Sequence, residues 1–335
     1  MIHSDQHLIS ILFPVYNTEG YLDECIASIT NQDFQNWELI AIDDFSTDHS
    51  HSILNQWAEK DDRIKVFINQ SKGIIPALQL AYSKSTGTYV TRMDSDDIMP
   101  PNKLSSMIKA WKQGTVVTGK VAYFSDDVLG DGYIQYADWI NERMDSNDFH
   151  RSVFKECVIP SQCWLMSRND LDKIGAFSEL QYPEDYDLCF RMLENQMEIV
   201  ALDQIVHHWR DRSDRISRTG EHYRDNRFFE LKWYYFKRQF DVQKRPIVIW
   251  GAGRNGKDLV KILHESQVAF AWVCENENKI GHQILGVKLS RPTSILSLEN
   301  PLIIISVASP EGKQEISNFL NETPWQEGKD YWFWL

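Results

Sequence analysis

The sequence predicts an α/β protein, with a larger domain on a mostly parallel sheet followed by a smaller domain of the same class. Three observations carry this. Short apolar runs alternate with stretches of helical spacing from residue 8 onward, the pattern of βαβ units. Each early run leads into polar or acidic residues, as strands of such sheets do where ligands sit beyond their carboxyl ends. At 247–263 the text IVIWGAGRNGKDLVKIL starts the pattern again with a strand, a Gly-rich turn and a helix.

The elements follow in order. Residues 8–15 (LISILFPV) and 37–42 (WELIAI) read as strands, and 63–68 and 88–93 as weaker ones. Between them 20–31, 48–60 and 74–85 have helical spacing. The stretch 125–150 is rich in Asp, Gly and Asn and reads as a surface excursion. Apolar character returns at 163–166, with a helix predicted over 185–195 and a strand over 198–206. Residues 221–239 read as a helix dense in aromatics, with Trp233, Tyr234, Tyr235 and Phe236 in succession. Residues 269–281 (AFAWVCENENKIG) and 302–309 (LIIISVAS) read as a second and a third strand of the part that starts at 247. This gives a first domain over 1–220, a bridging helix over 221–244 and a last domain over 245–335.

Composition narrows the function. A length of 335 residues suits two domains. A net charge of −13 argues against nucleic acid as partner. No apolar run approaches bilayer length, and the first residues, MIHSDQHLIS, lack the charged-then-apolar signal pattern. The five cysteines have neither metal-ligand nor disulfide-framework spacing. They read as reduced thiols in a cytoplasmic protein. Charge is uneven: residues 207–246 hold eleven Lys/Arg against six Asp/Glu. That stretch must face something acidic, a ligand or the protein's own surface.

Residues 91–101, TRMDSDDIMPP, put Asp94, Asp96 and Asp97 at a predicted strand end. Like charges this close repel unless something positive sits among them. Hard divalent ions such as Mg²⁺ or Mn²⁺ bridge carboxylates to phosphates in this way. A solvated Asp-rich turn is the alternative.

The order ISILFPVYNTEGYLDECIASITNQDFQNWELIAIDDFSTDHS, then GTYVTRMDSDDIMPPNKL, then YPEDYDLCFRM resembles the family 2 glycosyltransferases of the GT-A fold, across about residues 8–220. The resemblance implies a nucleotide-diphospho-sugar transferase domain. In that family the segment of Pro14 and Tyr16 helps hold the nucleotide base. Asp44 matches the base-binding carboxylate, with Asp43 beside it. Asp94 and Asp96 match the residues that hold ribose and metal, and Asp185, next to Glu184, matches the catalytic base. Lys72 falls where the family approaches the nucleotide. The text HHWRDRSDRISRTGEHYR (207–224) resembles the segment that often folds over the diphosphate. This suggests phosphate contacts for Arg210, Arg212, Arg215 and Arg218. His208 or His207 is then a candidate third metal ligand. Arg92 reads as a surface ion pair or a donor contact. Asp185 would equally serve as a helix N-terminal acid.

The implied reaction is inverting and Mn²⁺- or Mg²⁺-dependent transfer from a nucleotide-sugar donor, UDP-linked by expectation. The acceptor would be a glycan or lipid-linked glycan, in a setting such as bacterial surface polysaccharide synthesis. The aromatic, basic helix leaves open a peripheral contact at the inner membrane face, although docking within the protein is the plainer reading. In the last domain Gly251, Gly253 and Gly256 form G-x-G-x-x-G after a strand, with Glu275 after the next. It resembles Rossmann-like modules near bacterial glycosyltransferases and sugar acyltransferases. Such a module either binds a nucleotide or serves a structural role. Two rival functions remain at this level: an NAD(P)-dependent oxidoreductase or epimerase on that loop, and a non-catalytic sugar-nucleotide binding protein.

Overall fold

A computed structural model describes residues 7–125, 131–178, 181–212 and 228–335. The chain runs Ile9–Val15 (β1), Glu19–Thr30 (α1), Trp37–Asp43 (β2), Ser50–Ala58 (α2), Ile64–Ile68 (β3), Ile74–Lys84 (α3) and Tyr89–Arg92 (β4). Lys103–Ala110 (α4), Thr115–Phe124 (β5), Asp131–Ser146 (α5), Phe149–Ser152 (α6), Leu165–Ser167 (β6) and Arg168–Lys173 (α7) follow. Then come Glu184–Glu194 (α8), Glu198–Arg210 (β7), Phe229–Gln239 (α9), Ile247–Trp250 (β8), Arg254–Glu265 (α10) and Phe270–Val273 (β9). Gln283–Ile284 (β10), Val287–Ser290 (β11), Leu302–Ile305 (β12), Pro310–Asn321 (α11) and Tyr331–Phe333 (β13) complete it. Two compact units result: 1–147 with 158–220, and 148–157 with 221–335.

The first unit holds a seven-stranded sheet in the order β3-β2-β1-β4-β6-β5-β7. Only β6 runs antiparallel to its neighbours. Strands β1 and β2 are buried throughout, which is why they read as continuous apolar runs. Pro14 is tolerated there because β4 pairs with β1 only as far as Leu12 opposite Arg92. The missing N–H therefore faces no strand on that side. Glu38 is the buried polar exception. Its carboxylate accepts from Ser10 Oγ at 2.7 Å, Lys65 Nζ at 2.7 Å and Gly87 N at 3.1 Å. Burial opposes ionisation, but the Lys65 bond, the Thr86 backbone N–H and the two hydroxyls outweigh it and bring Glu38 down to about 2. A depressed carboxylate stabilises the fold above its unfolded pKa and loses that contribution as pH falls through its folded one. Glu38→Gln should therefore cost about 2 kcal/mol at pH 7, with the difference fading between pH 4.5 and 2 in urea titrations.

Two expectations need correction, and one strand had no reading in the sequence. Residues 131–146 form the helix α5 instead of an irregular excursion. Its buried residues Ala137, Ile140 and Met144 recur at helical spacing beneath a polar composition, and Asn141 bonds both N and O of Val121 at 2.9 Å. Strand β5 was hidden by its Gly and Lys and emerges through pairing with β7. Strand β7 continues to Arg210, so His207, His208 and Arg210 are ladder residues and not part of a loop.

The second unit has a sheet in the order β10-β11-β9-β8-β12-β13, parallel apart from the β10–β11 pair. Helix α9 belongs to this unit and does not stand as a separate bridge. Its Phe236 packs against Phe154, Trp332 and Trp334, with ring centroids 5.0–5.5 Å apart. Phe229, Trp233 and Tyr235 are buried too. These rings fill the unit's own core, so they do not form a face for a lipid surface. Lys232, within this cluster, donates to the carbonyls of Lys155 and Trp334 at 2.9 Å, and burial lowers it to about 8. Among the described residues no helix is long and apolar enough to cross a membrane.

Candidate active site

The carboxyl ends of β1, β2 and β3 bring the predicted base-binding residues together. Asp44 follows β2 and is buried. Its carboxylate accepts from Gly73 N at 2.9 and 3.0 Å and from Asn69 Nδ2 at 2.6 Å. Gly73 can meet it because it takes φ +129°, open to glycine at little cost. Lys72 thereby reaches Tyr16, with Nζ 3.2 Å from the phenol oxygen and 4.6 Å from the ring centre. Asp43 points elsewhere: it accepts from Ser46 N at 3.3 Å and lies 3.6 Å from His51 Nδ1. Pro14 is a buried strand residue and shapes the segment without presenting a polar group.

The acidic turn after β4 is divided among three jobs. Asp97 is fully buried; its carboxylate meets His207 Nε2 at 2.9 Å and accepts from Arg210 N at 2.8 Å. It ties the turn to the end of β7, as does the bridge between Ile98 and His208. Asp94 accepts from Arg92 Nε at 2.8 Å and from the Gln162 side-chain amide. Asp96 is partly exposed and lies 3.1 Å from Arg212 Nε. Arg210 is buried, donates to Asp96 O at 2.9 Å and pairs with Glu24. Much of the positive charge among these carboxylates is therefore the chain's own. Arg215 and Arg218 lie outside the described residues.

Arg92 corrects a further expectation. It is not at the surface: it is 6% exposed and spans Asp94 and Glu184, whose Oε1 lies 2.9 Å from Nη1. This ion pair brings the start of α8, and with it Asp185, to the acidic turn from 92 positions away in sequence. Desolvation pushes Asp185 up to about 7, the Glu184 charge adds to this, and Arg92 opposes it. Asp185 also accepts from Tyr186 N at 2.8 Å, which fits an acid at a helix start.

Gln162 was not legible as a site residue. Its amide holds Asp94, its Oε1 accepts from Trp209 Nε1 at 3.0 Å, and its carbonyl accepts from the buried Lys103 at 2.6 Å. Asn69 could have been found, since it is a polar residue at a strand's carboxyl end.

Among the described residues no three His, Cys, Asp or Glu groups converge as a metal cage. Burial lowers the pKa of His208, which lies across the Ile98 bridge from the turn. Asp94 and Asp96 fit the looser mode of Mg²⁺ and Mn²⁺, in which one or two carboxylates act together with substrate phosphates.

The family model for glycosyl transferase family 2 matches residues 10–175. This segment is a family 2 glycosyltransferase domain. A second model, described as C2185-like, N-terminal, matches 243–329. An uncharacterized glycosyltransferase of Haemophilus influenzae is 41% identical over 124 residues, 37% of this chain and 50% of that protein. WfgD of Escherichia coli, named a UDP-Glc:alpha-D-GlcNAc-diphosphoundecaprenol beta-1,3-glucosyltransferase, is 27% identical over 71% of this chain and 86% of its own. The chain thus spans from half to most of the length of these relatives. Among solved structures, S. aureus TarS 1-349 with UDP-GlcNAc gives a TM-score of 0.53 at 18% identity, over 70% of this chain and 66% of that one. The mannosyltransferase PcManGT of Pyrobaculum calidifontis with GDP-Man and Mn²⁺ gives 0.51 at 17%, over 78% and 68%. The fold of the family 2 domain is therefore GT-A.

Proposed function

We propose that the protein transfers a sugar from a nucleotide-sugar donor, UDP-linked, to a glycan or lipid-linked glycan acceptor with inversion at the anomeric carbon. The observation that supports this reading is the Arg92 bridge, which joins the strand-end carboxylate Asp94 to Glu184, the sequence neighbour of the candidate base Asp185. The acceptor oxygen attacks the anomeric carbon, and the bond to the diphosphate breaks with its electron pair. The hydroxyl proton passes to Asp185, whose raised pKa suits a base near neutral pH. Tyr16, Lys72 and Asp44 hold the nucleotide at the ends of β1 to β3. Asp94 and Asp96 would hold Mn²⁺ or Mg²⁺, with His208 as a further ligand; bound there, the ion offsets the charge that develops on the leaving diphosphate. Arg212 and Arg210, next to Asp96, add positive charge at the same place.

The UDP preference draws on WfgD and TarS, whose names and titles carry UDP-Glc and UDP-GlcNAc. The metal draws on PcManGT with Mn²⁺. Surface polysaccharide assembly at the cytoplasmic face is the setting this chemistry suits.

The test is release of nucleoside diphosphate from a panel of UDP-sugars and GDP-mannose with Mn²⁺ or Mg²⁺, beside Asp96→Ala. One donor should be hydrolysed, and Asp96→Ala should slow that hydrolysis at least 100-fold, within the range seen for loss of one electrostatic group at a reacting centre. Release from no donor, or full activity in Asp96→Ala, would overturn the assignment.

A further inference from the structure

Each carboxylate oxygen of Asp94 has a donor from the protein. Arg92 Nε lies 2.8 Å from Oδ1, and the Gln162 amide nitrogen donates to Oδ2. The Asp94 side chain nevertheless keeps 24% of its surface exposed. An ionised carboxylate offers about four acceptor sites, so two bonds set its direction and leave capacity for a ligand. The two donors differ in charge. A second cation at Oδ2 would cancel charge that a bound cation could use, whereas a neutral amide aligns the carboxylate and leaves its charge in place.

The orientation of this amide is set from its other end. Trp209 Nε1 lies 3.0 Å from Gln162 Oε1, and an indole N–H only donates. The amide oxygen must therefore face the indole, which leaves the NH₂ group for Asp94. The oxygen and nitrogen of a glutamine amide are alike in shape, so packing alone would not select between the two orientations. Gln162 and Trp209 are both buried, and breaking either bond strands a polar atom away from water.

Three neighbouring elements hold the pair in place. Lys103, fully buried at the start of α4, donates to Gln162 O at 2.6 Å. Thr91 Oγ1 donates to Trp164 O at 2.6 Å and ties the segment before β6 to β4, the strand that ends in the acidic turn. Trp209 stands on β7 with the Tyr123 ring of β5 packed 4.9 Å away. Across 68 positions of sequence, the amide thus meets Asp94 from a fixed place.

We propose that Gln162 is a positioning residue: oriented by the Trp209 indole, its amide keeps the Asp94 carboxylate directed at the nucleotide-sugar donor. This rests on the proposed function, which assigns Asp94 to that donor. The test is calorimetric titration of the full chain with UDP and with GDP, each with Mn²⁺, at a temperature where every variant is folded. The variants are Asp94→Asn, Gln162→Met, Trp209→Phe and the double variant of the last two. The parent should bind one of the nucleotides. Asp94→Asn and Gln162→Met should each weaken that binding at least tenfold. Trp209→Phe should weaken it at least threefold, because the amide can then turn its oxygen toward Asp94. The double variant should stay within twofold of Gln162→Met, since the indole acts only through the amide. A residue that merely supports the fold would lower the melting temperature and leave the affinity of the folded protein unchanged. Trp209→Phe retains the amide, so it decides the matter even where Gln162→Met does not fold. If the parent binds neither UDP nor GDP, the donor reading falls and this role falls with it. If the parent binds, a change below threefold in Gln162→Met, Trp209→Phe or Asp94→Asn, or single effects that multiply in the double variant, would overturn the positioning role while nucleotide binding stands.

Discussion

Under the proposed mechanism, Asp185→Asn should lower turnover by about 10³-fold, within the range for loss of a general base, while donor binding by calorimetry stays within twofold. The amide keeps the size of the side chain and its acceptance from Tyr186 N. It cannot take the proton. The parent enzyme should show a matching pH dependence. Burial first, and the Glu184 charge second, raise Asp185 to about 7. The reactive form is the carboxylate, so kcat/KM should climb tenfold per pH unit below about 7 and level off above it. A flat profile between pH 5 and 8, or an Asp185→Asn enzyme with more than a tenth of parental turnover, would remove Asp185 from the mechanism.

The second large effect is on stability. Arg92→Met should cost about 3–5 kcal/mol in urea unfolding, the usual result of stripping a buried ion pair of one partner. Arg92 is buried between Asp94 and Glu184, and the methionine would leave two carboxylates with that charge uncompensated. Adding Glu184→Gln should recover part of the loss, since one of the stranded charges is then gone. Any residual activity of Arg92→Met should have its rising limb at higher pH, because Arg92 is what opposes the upward shift of Asp185. A loss below 1 kcal/mol, with no recovery in the double variant, would show that the bridge contributes little to holding α8 at the turn.

Several features of the site could be read along the chain. Strands buried on both faces leave apolar runs, so β1 and β2 stood out, and the polar residues after them followed as candidates. Asp44, Asp94 and Asp96 come from that rule together with the family resemblance. Helix α5 did not stand out, because its buried Ala137, Ile140 and Met144 are sparse within a polar stretch. Strand β5 has a burial pattern set by its neighbour β7, and such pairing is long-range. The roles inside the acidic turn were equally hidden. Asp97 looks like its neighbours in sequence, yet it alone is sealed against His207 and the Arg210 backbone.

By itself, the sequence determined the α/β class, the restart of the strand–turn–helix pattern after Pro246, the family that residues 10–175 match, and the location of the acidic turn. These depend on local periodicity and on residue types at fixed spacing, which a linear text preserves. Only the tertiary structure decided which charges meet: Arg92 with Glu184, Arg212 with Asp96, Gln162 with Asp94. Desolvation and Coulomb interaction depend on distance and burial in space, and residues far apart along the chain acquire both only when the sheet and its helices have packed.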